Sequence, residues 1–183
     1  MKEKLYTIPL MDAFIAEDEC PFCFVERQLE QHAMDFVLGA GASYMEDDVR
    51  AETDKMGFCR THYKKMYDYG NRLGTGLILK THFQYKTKEL HEQIRIFAPS
   101  RASVFSRFKK GNTDTDAPKT SLGAWVKEQE DTCYICNFYK DTYARYLDTF
   151  FELFKKSQEF LPLFETCKGF CSPHFGDLVE TAE

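Results

Sequence analysis

The sequence predicts an all-α protein, and three observations carry that expectation. Apolar residues recur at steps of three and four over long stretches, strict alternation with period two is scarce, and helix-stopping and helix-capping residues fall where those stretches change. Val25, Leu29, His32 and Phe36 share one predicted face, and Gly39 and Gly41 close that helix. Ser43-Tyr-Met-Glu46 has the capping-box pattern of a new helix running to about Met56. Beyond His62 the helical pattern continues to Phe97, loosened around Gly70, Gly74 and Gly76, with Leu79, Phe83, Leu90, Ile94 and Phe97 along one stripe. Further on, Tyr139, Tyr143, Tyr146, Leu147, Phe150, Phe151 and Phe154 form a broad aromatic face. Stripes of this kind read as core rather than as a cofactor box.

Composition narrows the class. The 183 residues are 43% hydrophobic and 29% charged, enough to bury a core, and 17 Phe and 10 Tyr make the chain rich in aromatics. A net charge of −5 argues against a general nucleic-acid binder. The N-terminus has no apolar run of signal-peptide length, and the stretches 36–45 and 73–79 fall far short of the roughly 20 residues that span a bilayer. A cytoplasmic protein is therefore expected. In that reducing setting, seven cysteines, an odd number, point to metal ligation or redox chemistry rather than to a disulfide framework.

The cysteines and histidines follow a repeated plan. Cys20-Pro-Phe-Cys23 recurs 113 positions later as Cys133-Tyr-Ile-Cys136, and Gly57-Phe58-Cys59-Arg-Thr-His62 recurs 112 positions later as Gly169-Phe170-Cys171-Ser-Pro-His174. Matching order, spacing and flanking Gly-Phe predict an internal duplication over about 15–97 and 124–183. The expected organisation is a first helical unit at 1–97, a polar, basic linker at 98–123 and a shorter second unit at 124–183. Nine residues follow His174, so the second unit is either short by nature or cut from a longer chain.

Each copy offers three thiols and one imidazole as Cys-x2-Cys and Cys-x2-His, the ligand chemistry of a closed tetrahedral zinc site. Pro21 and Pro173 place the knuckles at helix N-termini, where unpaired amides and the positive dipole end favour thiolate. About two zinc ions per chain are expected. The simplest grouping keeps each copy to itself, Cys20/Cys23/Cys59/His62 and Cys133/Cys136/Cys171/His174; a crossed grouping uses the same residues. An iron–sulfur cluster and reversible dithiol chemistry are the alternatives.

Cys167 reads as a small buried residue, a spare ligand or a redox-sensitive thiol, and His32, His82 and His91 as core or surface histidines. A lesser polar site is Asp47, Asp48 and Arg50, with Glu46, Glu52 and Asp54 nearby; acids in a helix's first turn account for the same residues without a function. There is no phosphate loop, dinucleotide fingerprint, nucleophile elbow or open three-ligand zinc motif. The leading expectation is thus a non-enzymatic zinc protein whose partner is another protein, with a homodimer as one form of it and no membrane association. Redox sensing comes next. Nucleic-acid binding through the basic 101–119 arm ranks lower, beside a metal-dependent enzyme built on the acidic cluster.

The CPFC opening, the phrase MDFVLGAGASYMEDDVR and the GFCRTH knuckle together resemble a bacterial domain family of unknown function. The resemblance covers the first copy well and the second mainly at its Cys and His positions. It implies a small cytoplasmic helical protein of anaerobic bacteria and transfers no catalytic residue. A substrate-binding role in transport, which some relatives carry as a label, does not suit a chain without a signal-peptide run.

Overall fold

A computed structural model describes residues 5–97, 118 and 120–182. Among them are nine α-helices, one short 3-10 turn and no strand, in agreement with the all-α expectation. None of these helices is long and apolar enough to cross a membrane. The chain forms two compact units, residues 1–36 with 135–183, and residues 37–134. Most of the expected linker, 98–117 and 119, lies outside the described residues.

In the first unit, α1 (Thr7–Ile15) buries Leu10, Ala13 and Phe14. α2 (Pro21–Leu38) opens on a proline whose fixed φ suits a first turn. α7 (Tyr134–Lys156), α8 (Phe160–Thr166) and α9 (Ser172–Ala182) complete the unit. Its core joins Leu10, Phe14, Phe22, Val25 and Leu29 to Leu147, Phe150, Leu153, Phe160 and Leu178. Phe150 is the hub, meeting Phe22 at 5.7 Å and Phe160 at 5.7 Å between ring centroids, both edge-on. Such pairs add about 0.5–1.5 kcal/mol each beyond the area they bury. The predicted aromatic face of α7 is therefore largely core, with Phe154 exposed at its rim.

The predicted face of α2 is displaced. Val25 and Leu29 are buried, but the stripe continues through Ala33 by steps of four, and His32 and Phe36 lie exposed beside it. The ring of Phe36 stacks on Phe138 at 5.1 Å instead of entering the core.

The second unit holds the 3-10 turn Ser43–Met45, α3 (Asp47–Met56), α4 (Arg60–Tyr69), α5 (Arg72–Ile96) and α6 (Ser121–Asp131). The expected capping box does not form. Ser43 belongs to the 3-10 turn, and Glu46, extended at φ −74° and ψ 135°, precedes α3 without a side-chain cap. Gly70, at φ +91°, separates α4 from α5. Asn71 then caps α5, its Oδ1 accepting from the Gly74 amide at 2.9 Å while its Nδ2 donates to the Leu38 carbonyl at 2.7 Å. Gly74 loosens nothing. It is buried in α5, where a Cβ would stand 2.9 Å from the Tyr44 ring. The buried face of α5 is Gly74, Ile78 and His82, so the predicted stripe is turned the other way: Phe83, Leu90 and Ile94 are exposed. α6 starts at Ser121, three residues before the expected second copy, with Thr120 Oγ1 accepting from the Gly123 amide at 3.0 Å.

Candidate metal centres

All four Cys-x2-Cys and Cys-x2-His knuckles occupy one kind of position. Cys20, Cys59, Cys133 and Cys171 each stand immediately before a helix, and Cys23, His62, Cys136 and His174 each fall in its first turn. The cysteine carbonyls accept the first helical bonds: Phe24 N–H to Cys20 at 3.2 Å, Tyr63 N–H to Cys59 at 3.0 Å and Phe175 N–H to Cys171 at 2.9 Å. A residue at the helix cap and another three positions on face the same side of the first turn, the geometry that also lets a capping box close. Two intervening residues thus aim both ligand atoms at one point beside the helix's free amides.

The grouping corrects the one taken from the repeat. Cys20, Cys23, Cys171 and His174 form one cluster; Cys59, His62, Cys133 and Cys136 form the other. Each still combines one Cys-x2-Cys with one Cys-x2-His, but the first Cys-x2-Cys meets the second Cys-x2-His and the second meets the first. Within-copy grouping is the simpler expectation if the repeated motifs reflect a duplication. Length along the chain does not decide which helix ends face each other.

The distances suit a single tetrahedral ion. Ligand bonds of about 2.3 Å to sulfur and 2.0–2.1 Å to nitrogen put tetrahedral S···S edges near 3.8 Å and S···N edges near 3.6 Å. In the first cluster Cys23 Sγ lies 3.6 Å from Cys171 Sγ, and His174 Nδ1 lies 3.4, 3.4 and 3.0 Å from Cys20, Cys23 and Cys171. In the second, His62 Nδ1 is 3.2 Å from both Cys59 and Cys133. A sulfur–sulfur bond of about 2.05 Å is far shorter than 3.6 Å, and all seven cysteines are free thiols.

Electrostatics favour a cation here. The Cys171 thiol is held below its ordinary range, first by a hydrogen bond from the His174 backbone. Cys23 is pushed up to about 12 by burial, then by the neighbouring Cys171 and Cys20 sulfurs and their charge. Successive ionisation of crowded thiols thus grows costly, and a divalent ion removes that cost. Three thiolates and a neutral imidazole around a 2+ ion sum to −1, which the helix N-termini partly offset.

One site residue carries no signal in the sequence. His174 directs Nδ1 at the sulfurs and Nε2 at Glu26 Oε2, 3.1 Å away. A carboxylate behind a ligating histidine fixes its tautomer and orientation and raises its basicity. Glu26 follows Cys23 by three residues in α2, but its partner lies 148 positions away, beyond the reach of any local pattern.

The remaining candidates lie outside the two clusters. Cys167 belongs to neither cluster and packs, partly buried, against the apolar core. His32 and His91 are exposed, and His82 is buried with Nδ1 donating to the Asp54 carbonyl at 2.9 Å. Asp47, Asp48 and Arg50 do not converge. The two acids are exposed in the first turn of α3. Arg50 donates to the carbonyls of Tyr44 at 2.8 Å and Leu77 at 3.1 Å and to Thr81 Oγ1 at 3.2 Å, tying α3 to α5.

The family model described as "Family of unknown function (DUF6062)" matches residues 1–183. No curated protein and no solved structure gives a match.

Proposed function

Since the chain belongs to a family of unknown function, we propose from its two clusters that it is a zinc-stapled helical protein of a reducing compartment, working by binding another protein. The carrying observation is that two complete sets of three thiols and one imidazole meet at tetrahedral spacing. A structural site is closed in this way, with no position left for water or substrate. The spacing also supports a mononuclear ion over an iron–sulfur cluster, whose cube of atoms would hold the ligand sulfurs further apart. A role in binding draws support from α5, whose outer face carries Phe83 at 56% and Ile94 at 53% exposure among lysines and glutamates.

Elemental analysis of protein purified without added metal and without oxygen tests the metal reading. Two zinc ions per chain and no visible absorption are expected; iron with sulfide would contradict it. Cys59→Ser and Cys171→Ser should each lose one ion and unfold at lower temperature. Phe83→Ser with Ile94→Ser should abolish crosslinking to the cellular partner while leaving melting unchanged. A second reading rests on the 3.6 Å approach of Cys23 and Cys171, close enough for mild oxidation to join them and expel the ion. Peroxide that modifies other thiols while both ions stay bound would exclude it.

A further inference from the structure

A cavity of about 600 Å³ opens in the second unit, within the range of small-molecule sites. Met56, Phe58, Tyr63, Trp125 and Val126 line it with carbon and aromatic surface, and its exposed lining is mainly apolar. Its framework is tied down at both ends. Thr132 Oγ1 donates to the Met56 carbonyl at 3.1 Å, and the Tyr134 amide donates to the Gly57 carbonyl at 2.9 Å.

The buried polar side chain in this wall is His82, alongside the less buried Arg60, Lys86, Gln129 and Glu130. It is only 6% exposed, and the cavity is where it surfaces. Its Nδ1 faces the Asp54 carbonyl at 2.9 Å. A carbonyl only accepts, so Nδ1 carries the proton and the neutral ring keeps its lone pair on Nε2. Among the described residues Nε2 makes no hydrogen bond, and no side-chain nitrogen or oxygen is both buried and unpartnered. Nε2 is therefore an accessible acceptor in an otherwise buried side chain. Gly57 makes room for it: a Cβ there would lie 2.5 Å from the ring's Cε1.

We propose that this cavity binds a small planar aromatic molecule bearing one hydrogen-bond donor, its ring against Trp125, Phe58 and Tyr63 and its O–H or N–H on His82 Nε2. The assignment goes beyond the metal-stapled binding role and does not depend on the identity of the metal.

Trp125 is the chain's one tryptophan, so its fluorescence reports the cavity directly. The metal-loaded protein is titrated with p-cresol and, separately, with toluene, which has the same ring and methyl group but no donor. Saturable quenching by p-cresol is expected, with toluene about tenfold weaker for the loss of one hydrogen bond. Val126→Arg, at a residue 42% exposed on the cavity wall, should weaken p-cresol at least tenfold while helicity and melting stay unchanged. In wild type, p-cresol and not toluene should shift the 15N resonance of His82 Nε2. Absence of saturable quenching, equal affinity for the two probes, indifference to Val126→Arg, or an unmoved Nε2 resonance would each overturn the proposal.

Discussion

Glu26 shows how a single side chain can shape a candidate metal centre from outside its ligand set. Its carboxylate holds the His174 ring so that Nδ1 meets three sulfurs at once. Glu26→Gln should weaken metal binding at the first centre by about 10–100-fold, the usual effect of losing such a support, and leave the second centre unchanged. Competition with a chromophoric chelator reads both affinities in one experiment. Tyr143 makes a separate, pH-dependent contribution. Its hydroxyl donates to Asp177 Oδ2 at 3.0 Å, and burial, followed by that aspartate, holds the phenol well above its ordinary value. The folded-state pKa lies above the unfolded one, so the contribution is complete below about pH 10 and is lost as pH rises past it. Denaturant midpoints should fall above that pH in wild type and fall less in Tyr143→Phe.

Among the elements, the packing of α3 on α5 is the most exposed to substitution. Gly57 ends α3 at φ +65°, a conformation that L side chains rarely adopt, and its missing Cβ leaves space for the His82 ring. Gly57→Ala should cost about 1–3 kcal/mol from backbone strain, with the ring displacement adding to it, read as a lowered denaturant midpoint. Arg50→Ala should also destabilise, by about 1–3 kcal/mol, because it removes four hydrogen bonds, to the Tyr44 and Leu77 carbonyls and Thr81 Oγ1, and leaves the Tyr44 carbonyl without the two it accepts from Arg50. Asp47→Ala should stay within about 0.5 kcal/mol. The reverse order would restore the acidic cluster as a site. These elements also mark where sequence patterns inform and where they fail. Helix existence, the end of α3 at Met56 and the helix-start position of the Cys20 and Cys171 knuckles, beside Pro21 and Pro173, follow from local signals in neighbouring residues. The faces of α2 and α5 do not, since His32, Phe36, Phe83 and Ile94 have the right spacing for a core face but lie one step round from the buried one. Period alone counts apolar residues along a helix; which arc meets a neighbour depends on the neighbour.

For the whole molecule the decisive feature is nesting. The inner cluster joins residues 71 positions apart, and the outer cluster joins residues 154 apart, close to the two ends of the chain. Closing long loops is where unfolded chains hold most entropy, so ions placed there constrain the unfolded state strongly. A structural zinc site is worth about 10–16 kcal/mol of apparent folding free energy in small peptides, comparable to a domain's whole stability of about 5–15 kcal/mol. All eight Cys and His residues of the two clusters are legible in the sequence because their spacing is local. The exchange of partners is not, because the two groupings use identical residues and differ only in how distant helix ends meet. Metal content of two double variants, measured against a competing chelator, tests that exchange most directly. Cys20→Ser with Cys171→Ser removes two ligands from one centre and should leave one ion per chain, whereas Cys20→Ser with Cys59→Ser damages both centres and should leave none. The opposite pattern, one ion with the Cys20 and Cys59 pair and none with the Cys20 and Cys171 pair, would contradict the crossed centres.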